Sequence, residues 1–199
     1  GFYKRQMNPC SAEVCDGLDN DCNGQIDDDA ENASGWTQTS IGQSSGDSEF
    51  PICSSEGGDT INISANGYST ATVDGMQLVH QEICGDGSIT AHIGQMTGLG
   101  WAGITFRETS APGSKKVVLQ MQMNGNIRRE IRSTTNGATQ FLSMFRNGHT
   151  WLRIVRQANN FTGFTSTNGS TWVFAFTANV SMSNCVLVGL QVESINQSS

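Results

Sequence analysis

Short stretches in which apolar and polar residues alternate occupy most of the chain after residue 59. In KKVVLQMQMN (115–124), Val117, Leu119, Met121 and Met123 fall on one face, and the residues between them fall on the other. This period of two residues is that of a β-strand with one buried face. No segment keeps the period of an amphipathic helix over three turns. The pattern therefore predicts strands and no long helix.

The same alternation predicts a strand in each of ten further segments, which are 59–65, 75–82, 87–95, 100–108, 126–133, 139–146, 149–157, 160–167, 171–177 and 185–193. Asn-Gly or Asp-Gly pairs lie in or between many of these segments. Such pairs accept the positive φ angles that tight hairpins require. The chain is therefore predicted to be all-β, an antiparallel β-sandwich of the jelly-roll type.

The predicted strand 126–133 has an unusual charged face. Arg128, Glu130 and Arg132 share that face, and Ile127, Arg129 and Ile131 lie on the other. Two interpretations stay open. The three charged residues can form an ordinary exposed sheet face, or they can line a concave surface that binds a ligand.

The negative charge of the chain is concentrated at its N-terminus. The formal net charge is −7, and residues 1–32 hold eight acids against Lys4 and Arg5, which leaves ten acids and nine bases in the rest. Without an excess of positive charge, binding to nucleic acid is not expected. No run of about 20 apolar residues predicts a membrane span. The chain also starts without an apolar leader, so we interpret Gly1 as the start of a mature, processed form.

The six cysteines predict disulfide bonds. Their spacing matches neither paired zinc knuckles nor a redox-active pair. We therefore expect disulfides and an oxidising compartment, either outside the cell or at its surface. The pairing is left open; if each part of the chain pairs internally, an odd cysteine remains in each, and at least one bridge connects the two parts. The cysteines are Cys10, Cys15, Cys22, Cys53, Cys84 and Cys185.

The acidic segment fits a calcium-binding loop. The template places oxygen ligands at alternate positions, with glycine at position 6 and an apolar residue at position 8. Gly24 and Ile26 take those two positions. Position 12, normally a bidentate Glu, is Ala30, so another acid or water has to replace it. The predicted ligands are Asp19, Asp21, Asn23, Gln25 (by its carbonyl) and Asp27, with Asp28 and Asp16 as candidates for the missing carboxylate.

Two other interpretations of this segment are a solvated acidic linker and a site for copper or another softer metal. The linker does not explain the apolar residue and the cysteines inside the acidic run. Softer metals prefer imidazole and thiolate ligands, and the segment has no histidine. A bound cation, most simply Ca²⁺, would neutralise the mutual repulsion of the acids and make folding of the segment depend on the metal.

Residues 13–28, EVCDGLDNDCNGQIDD, resemble a C-D-G-x-D-N-D-C-[DN]-G-x-x-D repeat of bacterial surface and secreted proteins. The repeat is usually labelled a metal-binding motif, and it is also similar to thrombospondin type 3 calcium repeats. That label has at times been linked to copper. The oxygen ligands present here favour calcium.

Residues 36–195 resemble secreted bacterial domains of the concanavalin A-like lectin/glucanase (LamG-like) fold. The resemblance rests on the segments 74–81, 85–93, 101–121, 151–172 and 186–194. It implies a lectin-like sandwich, a secreted or cell-surface and bacterial protein, and core positions for Trp101, Trp151 and Trp172. The sequence departs from the family pattern at Asn168, where Asp is common, and in its added cysteines.

Together these observations predict three parts: an N-terminal arm at 1–12, a calcium-binding loop at 13–31 and the sandwich at 36–195. No enzyme activity is expected, because neither a glucanase carboxylate signature nor a nucleophile elbow is present. The predicted function is adhesion or carbohydrate binding, with a glycan or another surface polymer as partner. The alternative is a self-assembling fibre or sheath subunit, a homopolymer joined through its N-terminal arm and stabilised by calcium and disulfides. A glycoside hydrolase is the weakest candidate.

Overall fold

The computed structural model describes residues 36–46, 48–49 and 61–195. The chain divides into two units, and nearly all described residues belong to the one formed by Thr37–Asp47 and Ile63–Ser199. The two larger sheets and the sites below are those of this unit, and 36, 48–49 and 61–62 are the described residues of the other. The predicted boundaries of the arm and the calcium loop lie outside the described residues and stay predictions.

Thirteen strands form the described part of the chain, and no helix occurs there. Ten of the strands predicted from the alternation are β4–β13, and the eleventh is the short β3. The strands β1 and β2 were not predicted. The strands are β1 (Thr37–Ile41), β2 (Ser48–Glu49), β3 (Asn62–Ile63), β4 (Met76–Cys84), β5 (Gly87–His92), β6 (Gly100–Arg107), β7 (Lys116–Met121), β8 (Asn126–Arg132), β9 (Gln140–Phe145), β10 (Trp151–Gln157), β11 (Asn160–Ser166), β12 (Val173–Asn179) and β13 (Cys185–Ser194).

Two antiparallel sheets make the sandwich. The larger has seven strands in the order β1-β4-β13-β6-β7-β8-β9, and the smaller has four in the order β12-β11-β10-β5. The short strands β2 and β3 pair with each other. The prediction of an all-β, antiparallel sandwich is confirmed for the described residues.

The core lies between the two sheets, where the alternating apolar residues meet. Val117, Leu119 and Met121 on β7 are buried there with Phe106 on β6 and Phe161 on β11. The last two rings meet edge to face, with centroids 5.4 Å apart. Burying this apolar surface stabilises the sandwich. It also fixes the outward direction of the intervening residues, which carry the polar and aromatic surfaces described below.

Two of the predicted Asn-Gly turns connect neighbouring strands with a left-handed glycine. Gly125 has φ +88° between β7 and β8, and Gly148 has φ +72° between β9 and β10. A residue with a Cβ is strained at such angles, so glycine is suited to both turns.

One predicted disulfide joins the ends of two neighbouring strands. Cys84 ends β4 and Cys185 begins β13, and the two residues are register partners. The prediction of disulfide bonding is confirmed for this pair. The pairing of the other four cysteines, and the predicted bridge between the two parts of the chain, lie outside the described residues. These are Cys10, Cys15, Cys22 and Cys53.

A search for a membrane-spanning helix, limited to the residues described above, finds none that is long and apolar enough.

Candidate functional site

The predicted calcium ligands lie outside the described residues and therefore stay predictions. They are Asp16, Asp19, Asp21, Asn23, Gln25, Asp27 and Asp28. Within the described residues, one group has three potential metal ligands close together: Glu82, Cys84 and Cys185. Its two sulfurs are joined in a disulfide, so they offer no thiolate to a metal. This group is not a metal site.

The outward face of the seven-stranded sheet carries most of the buried charge. We call it the polar face, formed by the outward residues of β6, β7, β8 and β13. The strand register puts Arg107 beside Lys116 and Lys116 beside Arg132. The residues of the polar face are Arg107, Lys116, Gln120, Arg128, Glu130, Arg132, Gln191 and Glu193.

A segment of the chain itself, the covering loop (64–75), crosses the polar face. At one end, the Ser194 amide donates to the carbonyl of Gly67 at 2.7 Å, and the Ser69 hydroxyl donates to Glu193. At the other end, the Thr139 amide donates to the carbonyl of Ala71 at 2.7 Å. The loop therefore spans from the end of β13 to the connection between β8 and β9.

Asp74, near the end of the covering loop, is the centre of a buried ion cluster. Its carboxylate accepts bonds from Arg107 at 2.6 Å and Arg132 at 2.8 Å, and Lys116 Nζ lies 3.0 Å away. All four side chains are at most 1% exposed. Burial acts to raise the pKa of Asp74, but the charges of Lys116 and Arg107 outweigh it and hold that pKa at about 2.

A second group of charges continues from this cluster along the polar face. Lys116 Nζ also donates to Glu130 at 2.5 Å. Arg128 contacts Glu130 at 2.5 Å and Glu193 at 2.6 Å. Gln120 Nε2 donates to both carboxylates, at 2.7 and 2.9 Å. Burial, together with the charge of Glu130, raises the pKa of the Glu193 carboxyl.

The interpretation of Arg128, Glu130 and Arg132 as an exposed sheet face is wrong. Glu130 and Arg132 are 0% exposed, and the covering loop supplies Asp74 as the counter-ion of Arg132. Asp74-Gly75 is one of the Asp-Gly pairs that predict a turn, so its local sequence does not indicate this role of Asp74. The alternative role in ligand binding stays a prediction, and it is weakened because the three charges already pair inside the molecule.

Arg128 is the one member of this trio that reaches solvent. Its side chain is 21% exposed, and its guanidinium lies 4.2 Å from the ring centroid of Trp101 and 5.1 Å from that of Phe141. Cation–π contacts of this kind stabilise an arginine at a surface. These two contacts fix the Arg128 side chain at the solvent-exposed edge of the polar face, which we call its rim.

The outward face of the four-stranded sheet carries aromatic rings where the polar face carries buried charges, and we call it the aromatic face. Phe164 on β11 lies opposite Phe174 on β12, and their rings meet edge to face with centroids 6.4 Å apart. Arg153 on β10 is the register partner of Phe164, and its guanidinium lies 5.8 Å from the ring of Trp172. Exposed Thr90 on β5 is the next register partner of Arg153. Aromatic rings, a guanidinium and a hydroxyl thus share one open surface.

Trp151 also lies on the aromatic face, and neighbouring residues pack against its indole. The ring of His92 stacks on it with centroids 4.7 Å apart, and Gly169 packs against the same indole. A Cβ at Gly169 would come within 3.0 Å of the ring. Because neighbouring residues cover part of the Trp151 indole, Trp172 and Phe174 are the rings with more free surface for contact. Phe174 is 54% exposed.

The expectation that Trp101, Trp151 and Trp172 occupy core positions is wrong. All three are half-buried, and all lie outside the apolar core. Each lies on, or just before, a strand whose outward residues it joins, so the interior is filled by Phe106, Phe161 and aliphatic side chains instead. The alternation of WLRIVRQ (151–157) indicates the outward position of Trp151, because Trp151 and Arg153 share a face opposite the buried Leu152 and Ile154.

Comparisons with known proteins concern the N-terminal segment and the β-sandwich separately. Residues 3–28 match the model of a family described as "putative metal-binding motif", whose name refers to copper binding. No curated protein matches the chain. A solved crystal structure of a functionally unknown protein from Saccharomyces cerevisiae is similar, with a TM-score of 0.57 and 15% identity, covering 80% of this chain and 92% of that one. At that identity the likeness concerns the fold alone. The chain thus combines a metal-binding motif at its N-terminus with a β-sandwich.

Proposed function

We propose that the protein is a non-catalytic, extracellular binding module that holds glycans on its aromatic face. The observation that carries this proposal is the open surface around Trp172, Phe174 and Arg153. Sugar rings present apolar C–H surfaces that pack on aromatic rings, and hydroxyls that bond to polar groups beside them. The LamG-like resemblance of the sequence agrees with this function.

The polar face is the weaker candidate for the same role. Most of its charges are buried and all of them are already in ion pairs, so a ligand there would have to displace the covering loop and break the bonds to Asp74. The free energy needed to leave three cations without their counter-ion is far larger than the free energy gained from a few hydrogen bonds to a neutral sugar. A glycan is therefore better served by the aromatic face, where its hydroxyls replace water.

The acids of the polar face also fit a structural role better than catalysis. Glu130 and Glu193 lie close together, since both accept from Gln120 Nε2. They are 0% and 2% exposed, and Arg128 binds both. A glycosidase needs two carboxyl groups that flank a bond of the substrate. Covered and paired acids do not meet that requirement.

For the N-terminal motif we propose Ca²⁺ rather than copper. The donor set that the sequence provides consists of carboxylate, amide and carbonyl oxygens, which are the ligands calcium prefers. Copper would draw on imidazole or thiolate, and the motif has no histidine. Asp19, Asp21 and Asp27 would hold the ion, and its charge would let the acidic segment fold.

We also propose an extracellular location, on the basis of the disulfide. The disulfide between Cys84 and Cys185 requires an oxidising environment to persist, and such bonds are rare where thiols are kept reduced. Assembly through the N-terminal arm stays a prediction, because the arm lies outside the described residues.

The glycan proposal is tested by binding to insoluble and soluble polysaccharides. Trp172→Ala and Phe174→Ala should each weaken retention at least tenfold, because each removes a stacking surface. Met123→Ala, which removes an exposed apolar side chain between β7 and β8 of the other sheet, is the matched control and should bind as the parent does. Retention that survives both aromatic changes would reject the aromatic face as the site.

The metal proposal is tested by thermal melting and calorimetry with Ca²⁺ and with Cu²⁺ on the full chain. Millimolar Ca²⁺ should raise the melting temperature by several degrees, because a ligand that binds the folded state alone stabilises it. Asp21→Ala should remove that rise, whereas Glu82→Ala, at an exposed acid on β4, should keep it. A rise with Cu²⁺ and none with Ca²⁺ would contradict the choice of metal.

A further inference from the structure

The strand β9 forms an edge of the seven-stranded sheet with apolar side chains on both of its faces. Among the described strands it pairs with β8 alone. Phe141, Leu142 and Phe145 are 49%, 46% and 68% exposed. An apolar edge strand presents unpaired backbone groups and is a template for pairing with another strand.

The other edge strands of the two larger sheets are less suited to such pairing, either because they are polar or because a bulge interrupts them. β1 has the polar sequence TQTSI, and β12 is interrupted by a bulge opposite Gly163 and Phe164. β5 exposes Ser88, Thr90 and a histidine. In contrast, β9 exposes large apolar side chains, and its register with β8 is regular. It has no bulge, charge or proline to protect this apolar edge.

We infer that β9 pairs antiparallel with β9 of a second copy of this chain, about a two-fold axis through Ser143. The axis is perpendicular to the sheet, so outward residues meet outward residues and inward residues meet inward ones. Phe141 then lies opposite Phe145 of the second copy, and Leu142 lies opposite Met144. The two seven-stranded sheets join into one continuous sheet of two copies.

The side chains that meet in this arrangement suit each other. Phe141 and Phe145 share the outward face with Ser143, as their register with β8 shows. Two aromatic pairs and two aliphatic pairs result, which are favourable neighbours across antiparallel strands. A strand whose sequence pairs well with itself in this way selects a second copy as its partner.

Charge does not oppose the pairing. Arg146, which follows β9, would lie opposite the neutral Gln140 of the second copy. Its guanidinium donates to the Phe174 carbonyl at 2.9 Å, so its charge is drawn toward the smaller sheet. No like charges therefore meet across the two strands.

The inference is independent of glycan binding, because the aromatic face belongs to the other sheet. Either one can fail while the other holds. A dimer of this kind would present two aromatic faces, which raises the apparent affinity for a polymer with repeated sugars.

The test is sedimentation of the full chain in calcium over a wide range of concentrations, with variants at the symmetry axis. Ser143 is exposed, so Ser143→Lys and Ser143→Glu should fold, which the melting temperature checks. Each variant alone puts two like charges opposite each other and should raise the dissociation constant at least tenfold. An equimolar mixture should recover the dimer, because Lys then faces Glu. Ser88→Lys, on the edge strand β5, is the matched control and should dimerise as the parent does.

Three results would overturn the inference. The first is a parent chain that sediments as a monomer at every concentration. The second is a dimer that persists unchanged in both Ser143 variants, which would assign association to another surface, such as the N-terminal arm. The third is a mixture of the folded Lys and Glu variants that stays monomeric, which would show that this residue does not face its own copy.

Discussion

The two outward faces of the sandwich differ in whether the residues that suggest a function are buried and paired or exposed. On the seven-stranded sheet, Glu130 and Glu193 are buried, a covering loop supplies Asp74, and the three acids pair with four cations. On the four-stranded sheet, Trp172 lies beside Arg153, Phe174 is exposed, and none of the residues that the structure describes forms such a loop over them. A dense set of charges therefore marks a structural element here, and the less conspicuous aromatic surface is the one to which we assign ligand binding.

The largest effect expected from this comparison is the loss of the Asp74 carboxylate. Asp74→Ala leaves Arg107, Lys116 and Arg132 buried without their shared counter-ion, and should lower the free energy of unfolding by about 3–5 kcal/mol. Glu108→Ala removes a partly exposed pair with Lys115 and should cost about 1 kcal/mol or less. Denaturant unfolding measures both. Equal losses would mean that the polar face is not the structural element described here.

The next effect is a dependence of stability on pH. The pKa of Asp74 is about 2 in the folded protein against an ordinary value of 3.8. A lowered folded pKa stabilises the protein above pH 4, and this contribution of about 2 kcal/mol is lost as the pH falls from about 4 to 2. The raised pKa of Glu193 acts in the opposite sense, since protonation of that acid relieves a penalty on folding.

Urea titrations between pH 2 and pH 6 measure this dependence. Asp74→Asn should flatten the part of the curve below pH 4, because the titrating group is gone. A curve that keeps its steep acid limb in this variant would assign the limb to other carboxylates.

The smallest change in stability is expected on the aromatic face. Trp172→Ala should lower the free energy of unfolding by about 1 kcal/mol or less, because the ring is half-exposed and lies outside the core. Trp151→Ala should cost more, since His92 and Gly169 pack on that indole. Thermal melting separates the two. A larger loss for Trp172 would make that ring a structural residue as well.

The strands were predictable because alternation is a local signal. Every segment that it marked contains a strand, while β1 was missed because TQTSI shows one buried apolar residue, Ile41. The sheet order and the buried cluster were not predictable. Asp74 and Arg132 are 58 residues apart, and only the folded loop brings them together. The family resemblance placed Trp101, Trp151 and Trp172 in the core, although the alternation of 151–157 puts Trp151 on the face of Arg153, opposite the buried Leu152 and Ile154.

The most direct test of the account is an NMR titration that follows the tryptophan indole N–H signals while an oligosaccharide is added to the full chain. Trp172 reports on the aromatic face, and Trp101 reports on the rim of the polar face beside Arg128. The account predicts that the signal of Trp172 shifts in a saturable way while that of Trp101 stays in place. A saturable shift of Trp101, with Trp172 unchanged, would contradict it.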